Sequence, residues 1–438
     1  MAAGALSASH DIRSLGRAAT IPVVGHLVRQ ALLAALTANA LRPSRTFRGG
    51  ALSFLLGWVT VEWAPQLLVA STVDTAQAAA RRRATPLGVA LAALAWAGLL
   101  REIALSRATP QGFNESLASL GKVDGLEPIA PRDAQRTWRR SVHPLPRRRE
   151  DVVVVRDIRY SDAGRRGLLD VYRPAEVPVD APVLLQVHGG GWTIGSKEVQ
   201  AVPLMQHMAS LGWVCVAINY RLAPRDPFPA QIIDVKRALA WIRDHVAEHG
   251  GDPDYVVITG GSAGGHLAAL AALTPGDPVL QPGFEEADTS VRAAVPVYGV
   301  YDFAGVTGLR SVEAMRDRFL APRILQKSFS QDPEAFEQAS PILRITEDAP
   351  DFFVIHGDTD SLVDVNQARR FVEALREKST AHVVYTELRG AQHAFDIFES
   401  TRTGHMVRAV ANYLQWHHRR HVAGPAAVPD EPEGTMAR

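Results

Sequence analysis

From Asp151 onward the chain alternates short, β-branched apolar runs with longer amphipathic stretches, and few folds accommodate that alternation. Strand-length runs stand at 152–155, 168–172, 183–187, 214–218, 255–259, 293–297, 352–355 and 382–386. Most of the later runs are continuously apolar, as strands are when helices cover both faces of their sheet. Between them Ile232, Val235, Leu239, Ile242 and Val246 recur at helical spacing, as do Val365, Ala368, Phe371, Val372 and Leu375. The pattern predicts an α/β domain over 151–422, with a mostly parallel eight-stranded sheet between two helical layers. Residues 301–350 separate the sixth and seventh strands. That is too long for a bare connection, so part of it is expected to fold over the sheet as a cap. Residues 423–438 read as a flexible tail.

Residues 1–150 are different. They carry 19 Lys+Arg against 9 Asp+Glu in a chain whose net charge is only +1, so the front third is basic and the rest acidic. Residues 49–73 are apolar apart from Glu62, and 84–100 hold no charge; Arg81, Arg82 and Arg83 separate the two. Neither is a clean membrane span of roughly 20 residues: Glu62 and Pro65 interrupt the first, and the second has only seventeen. The expectation is a helical region that inserts in or lies on a bilayer through residues 49–104, aided by arginines facing anionic lipid. The alternative is a bundle buried against the α/β domain of a cytoplasmic protein. Arginines flank both segments at both ends, so charge asymmetry assigns no orientation. Residues 31–41 end in Ala38-Asn39-Ala40, which looks like a signal-peptide cleavage site, but the apolar stretch is short for one. Residues 132–149 read as a solvated basic linker. A lone cysteine, Cys215, excludes an internal disulfide framework and a multi-cysteine metal site; lying in an apolar run, it reads as core.

The chemistry-bearing residues follow the strands. Gly260-Gly261-Ser262-Ala263-Gly264 lies between a predicted strand and a predicted helix, where a tight turn exposes a serine hydroxyl and only small neighbours fit. His188-Gly189-Gly190-Gly191-Trp192 follows the third strand, and its glycines leave backbone N–H groups free to face a developing oxyanion. Gly189, Gly190, Gly191 and Ala263 are the candidate donors. The glycine run lacks the lysine and the G-x-G-x-x-G spacing of phosphate-binding loops. A serine needs a base and a carboxylate to orient it. His393, after the eighth strand, and Asp360, after the seventh, are assigned to these roles, with Asp358 and Asp364 as competitors for the acid. Asp358 is expected to bond the turn instead. His245 and His249 share a helix face without a third metal ligand, and His417, His418 and His421 are expected in solvent.

With these residues stated, the chain resembles the hormone-sensitive-lipase-like carboxylesterases and lipases of the α/β-hydrolase superfamily. The resemblance rests on His188 to Trp192, Tyr220 to Pro224 with Phe228-Pro229-Ala230, Gly260 to Gly265, His356 to Asp360, and His393, and covers about 151–420. It implies Ser262 as nucleophile, His393 as base, Asp360 as its orienter and His188 as a structural member of the glycine loop. Two residues depart from the family pattern: Gly261 stands where an acidic residue is common, and Trp192 where phenylalanine or tyrosine is. His266 is similar to a residue of relatives acting on feruloyl esters or N-formylkynurenine. The implied function is hydrolysis of carboxylic esters, small or lipid, through an acyl-serine, with no cofactor, metal or nucleic acid. An amidase or formamidase with the same triad is one alternative, and a non-catalytic binding protein on the same scaffold is another. Oligomeric state is left open by the sequence.

Overall fold

A computed structural model describes residues 25–121, 129 and 148–424; the tail beyond Gly424 and most of the 132–149 linker lie outside the described residues. Four helices come first: α1 His26–Leu41, α2 Phe47–Glu62, α3 Ala64–Ala80 and α4 Pro86–Ala118. The α/β part then runs β1 Val152–Arg159, β2 Leu168–Pro174, β3 Ala181–Val187, α5 Val202–Ser210, β4 Val214–Ile218, α6 Ala230–His245, β5 Gly251–Gly261 and α7 Ala263–Leu273. It continues through β6 Ala293–Val297, α8 Arg310–Met315, α9 Pro333–Gln338, β7 Asp351–Gly357, α10 Val365–Lys378, β8 Val383–Leu388 and α11 Thr401–Ala423.

Each expected run is a strand, and the sheet order is β1-β2-β4-β3-β5-β6-β7-β8. β1 pairs antiparallel with β2, and β2 with β4; every pair from β4 to β8 is parallel. The short connection between β1 and β2 permits only a hairpin, whereas the later strands are separated by helical crossovers that return the chain to the same edge. Alternation along β3 shows why its sequence is apolar throughout. Val183, Leu185 and Val187 pack with Ile232, Leu239 and Leu267 on one face, while Leu184 packs with Met205, Met208 and Tyr413 on the other. Over the sheet's carboxyl edge, α8, the π-helical turns of Arg316–Leu325 and α9 bury Leu320, Ile324 and Phe336, forming the expected cap.

In the N-terminal helices the usual polarity is inverted. α2 buries Gly50, Ser53, Gly57, Thr60 and Glu62, with Val61 its one large buried aliphatic, and exposes Leu52, Leu55, Leu56 and Val59. Polar groups bond between helices on the inside: His26 with Thr75, Gln30 with Asp74, Ser71 with Gln30, Trp96 with Ser71, and Asn39 with Ser53. α4 is long and apolar enough to cross a membrane, and only 33% of its most apolar window is buried. Residues 49–73, read in the sequence as one apolar segment, break at Trp63: α2 and α3 meet at 79°, with Pro65 in the first turn of α3. Glu62 turns inward there and pairs with fully buried Arg402 at 2.5 Å, and Glu102 of α4 lies 4.0 Å from the same guanidinium. Beyond Glu102 α4 becomes a core helix, with Phe113 and Leu117 packed among residues of the sheet and α11. One expectation for α11 is corrected: His417 and His418 are half-buried, the first bonded to the Tyr255 hydroxyl at 2.6 Å and the second edge-on to its ring, and only His421 is exposed.

Candidate active site

Ser262 occupies the turn between β5 and α7 with φ +59° and ψ −121°, a conformation that costs a non-glycine residue roughly 1–3 kcal/mol. The surroundings enforce it. The Ser262 N–H donates to the Val297 carbonyl at 2.9 Å, anchoring the turn to β6. A Cβ at Gly264 would fall on the Val187 carbonyl oxygen, so glycine lets α7 start against β3. The serine hydroxyl is thereby held at the carboxyl edge of the sheet, where the β7 and β8 loops also end.

His393 reaches it from the loop after β8, with Nε2 2.8 Å from Ser262 Oγ and Nδ1 2.6 Å from Asp360 Oδ2. Asp360, from the loop after β7, is buried, and its other oxygen accepts the Leu362 and Val363 N–H groups at 2.9 Å each. Burial alone would raise the Asp360 carboxyl, but the facing His393 and His356 rings outweigh it and hold the group well below the usual carboxylate range. The two loops are tied together. Gln392 Oε1 accepts both the His393 and Ser361 N–H groups, and Asp358 accepts the Gly390 N–H. Asp364 caps α10 and takes a bond from Ser311, so neither competing carboxylate meets His393.

The glycine loop needs one correction. The Gly189 N–H donates to Gln200 Oε1 and is no longer available as an oxyanion donor. Among the described residues, the N–H groups of Gly190, Gly191 and Ala263 have no acceptor, and Ala263 opens α7, where unpaired N–H groups and the helix dipole favour negative charge. His188 is buried, stacked on Tyr220 with its Nδ1 against the Gly189 carbonyl; burial lowers its pKa to about 4.

Gln200 belongs to a network absent from the sequence reading. Its amide donates to the Tyr298 hydroxyl at 2.9 Å, Tyr298 donates to Asp396, and the Tyr298 ring lies 4.6 Å from the His393 ring. Burial pushes the Asp396 carboxyl up to about 6. This network also accounts for Gly261: a Cβ there would lie 2.6 Å from both Gln200 Nε2 and the Tyr298 hydroxyl. The only advance signal was position, since Tyr298 follows β6 at the active edge.

Trp192 and His266 prove to be partners. The indole N–H donates to His266 Nδ1 at 3.2 Å, leaving the His266 Nε2 proton for the Ala339 carbonyl at 2.8 Å. Burial holds His266 near a pKa of about 4, so it is neutral at physiological pH and belongs to the wall of the site. Phe319 of the cap touches the position of Gly191, and Phe54 of α2 lies edge-on to the His393 ring at 5.8 Å. Ser262 thus sits between a cap wall and an N-terminal helix. Elsewhere His245 pairs with Glu248 at 3.0 Å, and Cys215 is fully buried in β4.

The BD-FAE family profile matches residues 169–375. Over 427 residues the chain is 44% identical to the probable carboxylic ester hydrolase LipM of Mycobacterium tuberculosis, covering 93% of this chain and 97% of that one. It is 49% identical to the esterase LipQ of the same organism over 260 residues, 59% of this chain and 61% of that one. Among solved structures it has the fold of a truncated carbohydrate esterase from gut microbiota, with TM-score 0.52, 24% identity, and 62% and 99% of the two chains covered. Because the LipM match runs through both the helical N-terminal region and the sheet that carries Ser262, Asp360 and His393, the chain belongs to the carboxylic ester hydrolases of the α/β-hydrolase superfamily, the hormone-sensitive-lipase-like group its motifs resemble.

Proposed function

We propose that the protein hydrolyses carboxylic esters through an acyl-enzyme on Ser262. The observation that carries this reading is the unbroken chain of contacts from Ser262 Oγ through the His393 ring to Asp360. Ionised Asp360 keeps the proton on His393 Nδ1, so Nε2 accepts the Ser262 proton as Oγ attacks the ester carbonyl. The oxyanion is stabilised by the N–H groups of Gly190, Gly191 and Ala263, each such donor being worth about 3 kcal/mol in the transition state. His393 then protonates the departing alcohol. Water, deprotonated by the same ring, attacks the acyl-serine and releases the acid. Ser262→Ala should lower kcat on p-nitrophenyl butyrate by at least about 10³-fold and abolish labelling by a fluorophosphonate. Full activity in that variant would end the proposal.

The same chain is read as membrane-attached through its first helices. Their outward face is apolar while their inward face is small and polar, the reverse of a soluble bundle and the arrangement that suits hydrocarbon solvent. Charge marks both ends of this region: Arg81, Arg82, Arg83 and the Arg29–Asp74 pair at one, Arg42, Glu62, Arg101 and Glu102 at the other. The uncharged stretch of α4, residues 86–100, is about 22 Å long, most of the roughly 30 Å thickness of a bilayer core.

A further inference from the structure

We propose that α2 lies in the plane of the membrane surface as the floor of the active site, so that the natural substrates are acyl esters drawn directly from the bilayer. This rests on the hydrolase and membrane readings above and specifies where the two meet. If α3 and the first half of α4 run along the membrane normal, the 79° bend at Trp63 lays α2 nearly parallel to the surface. Its two faces then have different neighbours. Leu52, Leu55, Leu56 and Val59 point outward, the first two about 60% exposed, and large aliphatic side chains on an in-plane helix bury into the acyl boundary.

The opposite face is fitted to the catalytic loops. Phe54 meets the His393 ring, and Trp58 stacks on Phe398 at 4.6 Å and donates its indole N–H to the Ala394 carbonyl at 2.8 Å. Ser361, next to Asp360, donates to the Gly50 carbonyl, and a Cβ at Gly50 would collide with the Ser361 carbonyl. Arg45 bonds the Asp358 carbonyl oxygen, and exposed Arg48 follows on the same end, at the level of phosphate headgroups. A helix one side chain thick therefore separates His393 from the lipid. The cap meets the N-terminal end of α2, where Arg318 lies over the Phe47 ring at 5.6 Å. An acyl chain leaving the bilayer between α2 and the cap would pass Phe54 and Phe319 to reach Ser262 without crossing water. Desolvation of a long chain then costs nothing, because it passes from one apolar environment to another.

The test uses the full chain reconstituted in vesicles of phosphatidylcholine and phosphatidylglycerol. Rates are read on water-soluble p-nitrophenyl butyrate and on dioleoylglycerol carried in the same bilayer. The double substitution Leu55→Glu, Leu56→Glu should leave the soluble ester within about twofold of the parent, slow the bilayer-borne ester at least tenfold, and leave the protein in the vesicles through α3 and α4. Equal slowing of both esters, or of neither, would overturn the proposal. A second measurement does not depend on that variant. Leu56→Cys, labelled with a nitrobenzoxadiazole dye while native Cys215 stays buried, should be quenched more strongly by lipids brominated near the headgroup than near the chain end. Absence of quenching would place α2 in water and overturn the proposal. Failure of the Ser262 reading is distinguishable, because the parent protein would then lack Ser262-dependent hydrolysis of the soluble ester as well.

Discussion

Asp396 shows how a single carboxyl can set the pH response of this site. It is buried 3% exposed beside Tyr298, and its pKa of about 6 lies above that of a carboxyl in the unfolded chain. The folded state therefore holds the proton more tightly. The stability this contributes is complete below the unfolded pKa of about 4 and is lost as pH rises through about 6. Asp396→Asn cannot ionise yet still accepts from Tyr298. Its stability relative to the parent should accordingly rise by about 1–2 kcal/mol from pH 5 to pH 8, measured by thermal unfolding at the two values. A constant difference would show that Asp396 does not titrate there. Ser262, His393 and Asp360, the candidate triad that the structure brings together, were legible because their neighbours are constrained in sequence. Gln200, Tyr298 and Asp396 were not, because each meets the site from a different loop and no local spacing links them. For the same reason the commitment of the Gly189 N–H to Gln200 could not be foreseen from a glycine run.

Among the elements, α4 carries two environments along one axis. Phe113 is fully buried with its ring 6.2 Å from that of Phe353, whereas Leu94, just over five turns earlier, is 68% exposed. Phe113→Ala should therefore destabilise the protein by about 3–5 kcal/mol, while Leu94→Ala in detergent should leave the unfolding midpoint unchanged within error. Equal effects would contradict the division of the helix. The strands were readable because each is a short run of apolar residues whose two faces are both covered. The bend at Trp63 was foreshadowed by Glu62 and Pro65, but its angle was not, since it is set by where Glu62 finds Arg402, a residue 340 positions away in the chain.

For the molecule as a whole, the inverted N-terminal helices predict where the protein resides. Expressed at full length, it should sediment with membranes, resist extraction by high salt and alkaline carbonate, and enter solution with detergent. Appearance in the soluble fraction without detergent would refute attachment. The sequence alone determined the α/β architecture, the serine, histidine and aspartate that meet at the sheet edge, and the apolar character of the first helices. These are local properties: side-chain period, turn chemistry and runs without charge, each written within a dozen residues. Only the tertiary structure decided which way the first helices face, which glycine N–H groups remain free, and that α2 lies against His393. Those depend on burial and on hydrogen bonds between segments hundreds of residues apart, and an amphipathic pattern cannot say whether its apolar side faces protein or lipid until the partners are in place.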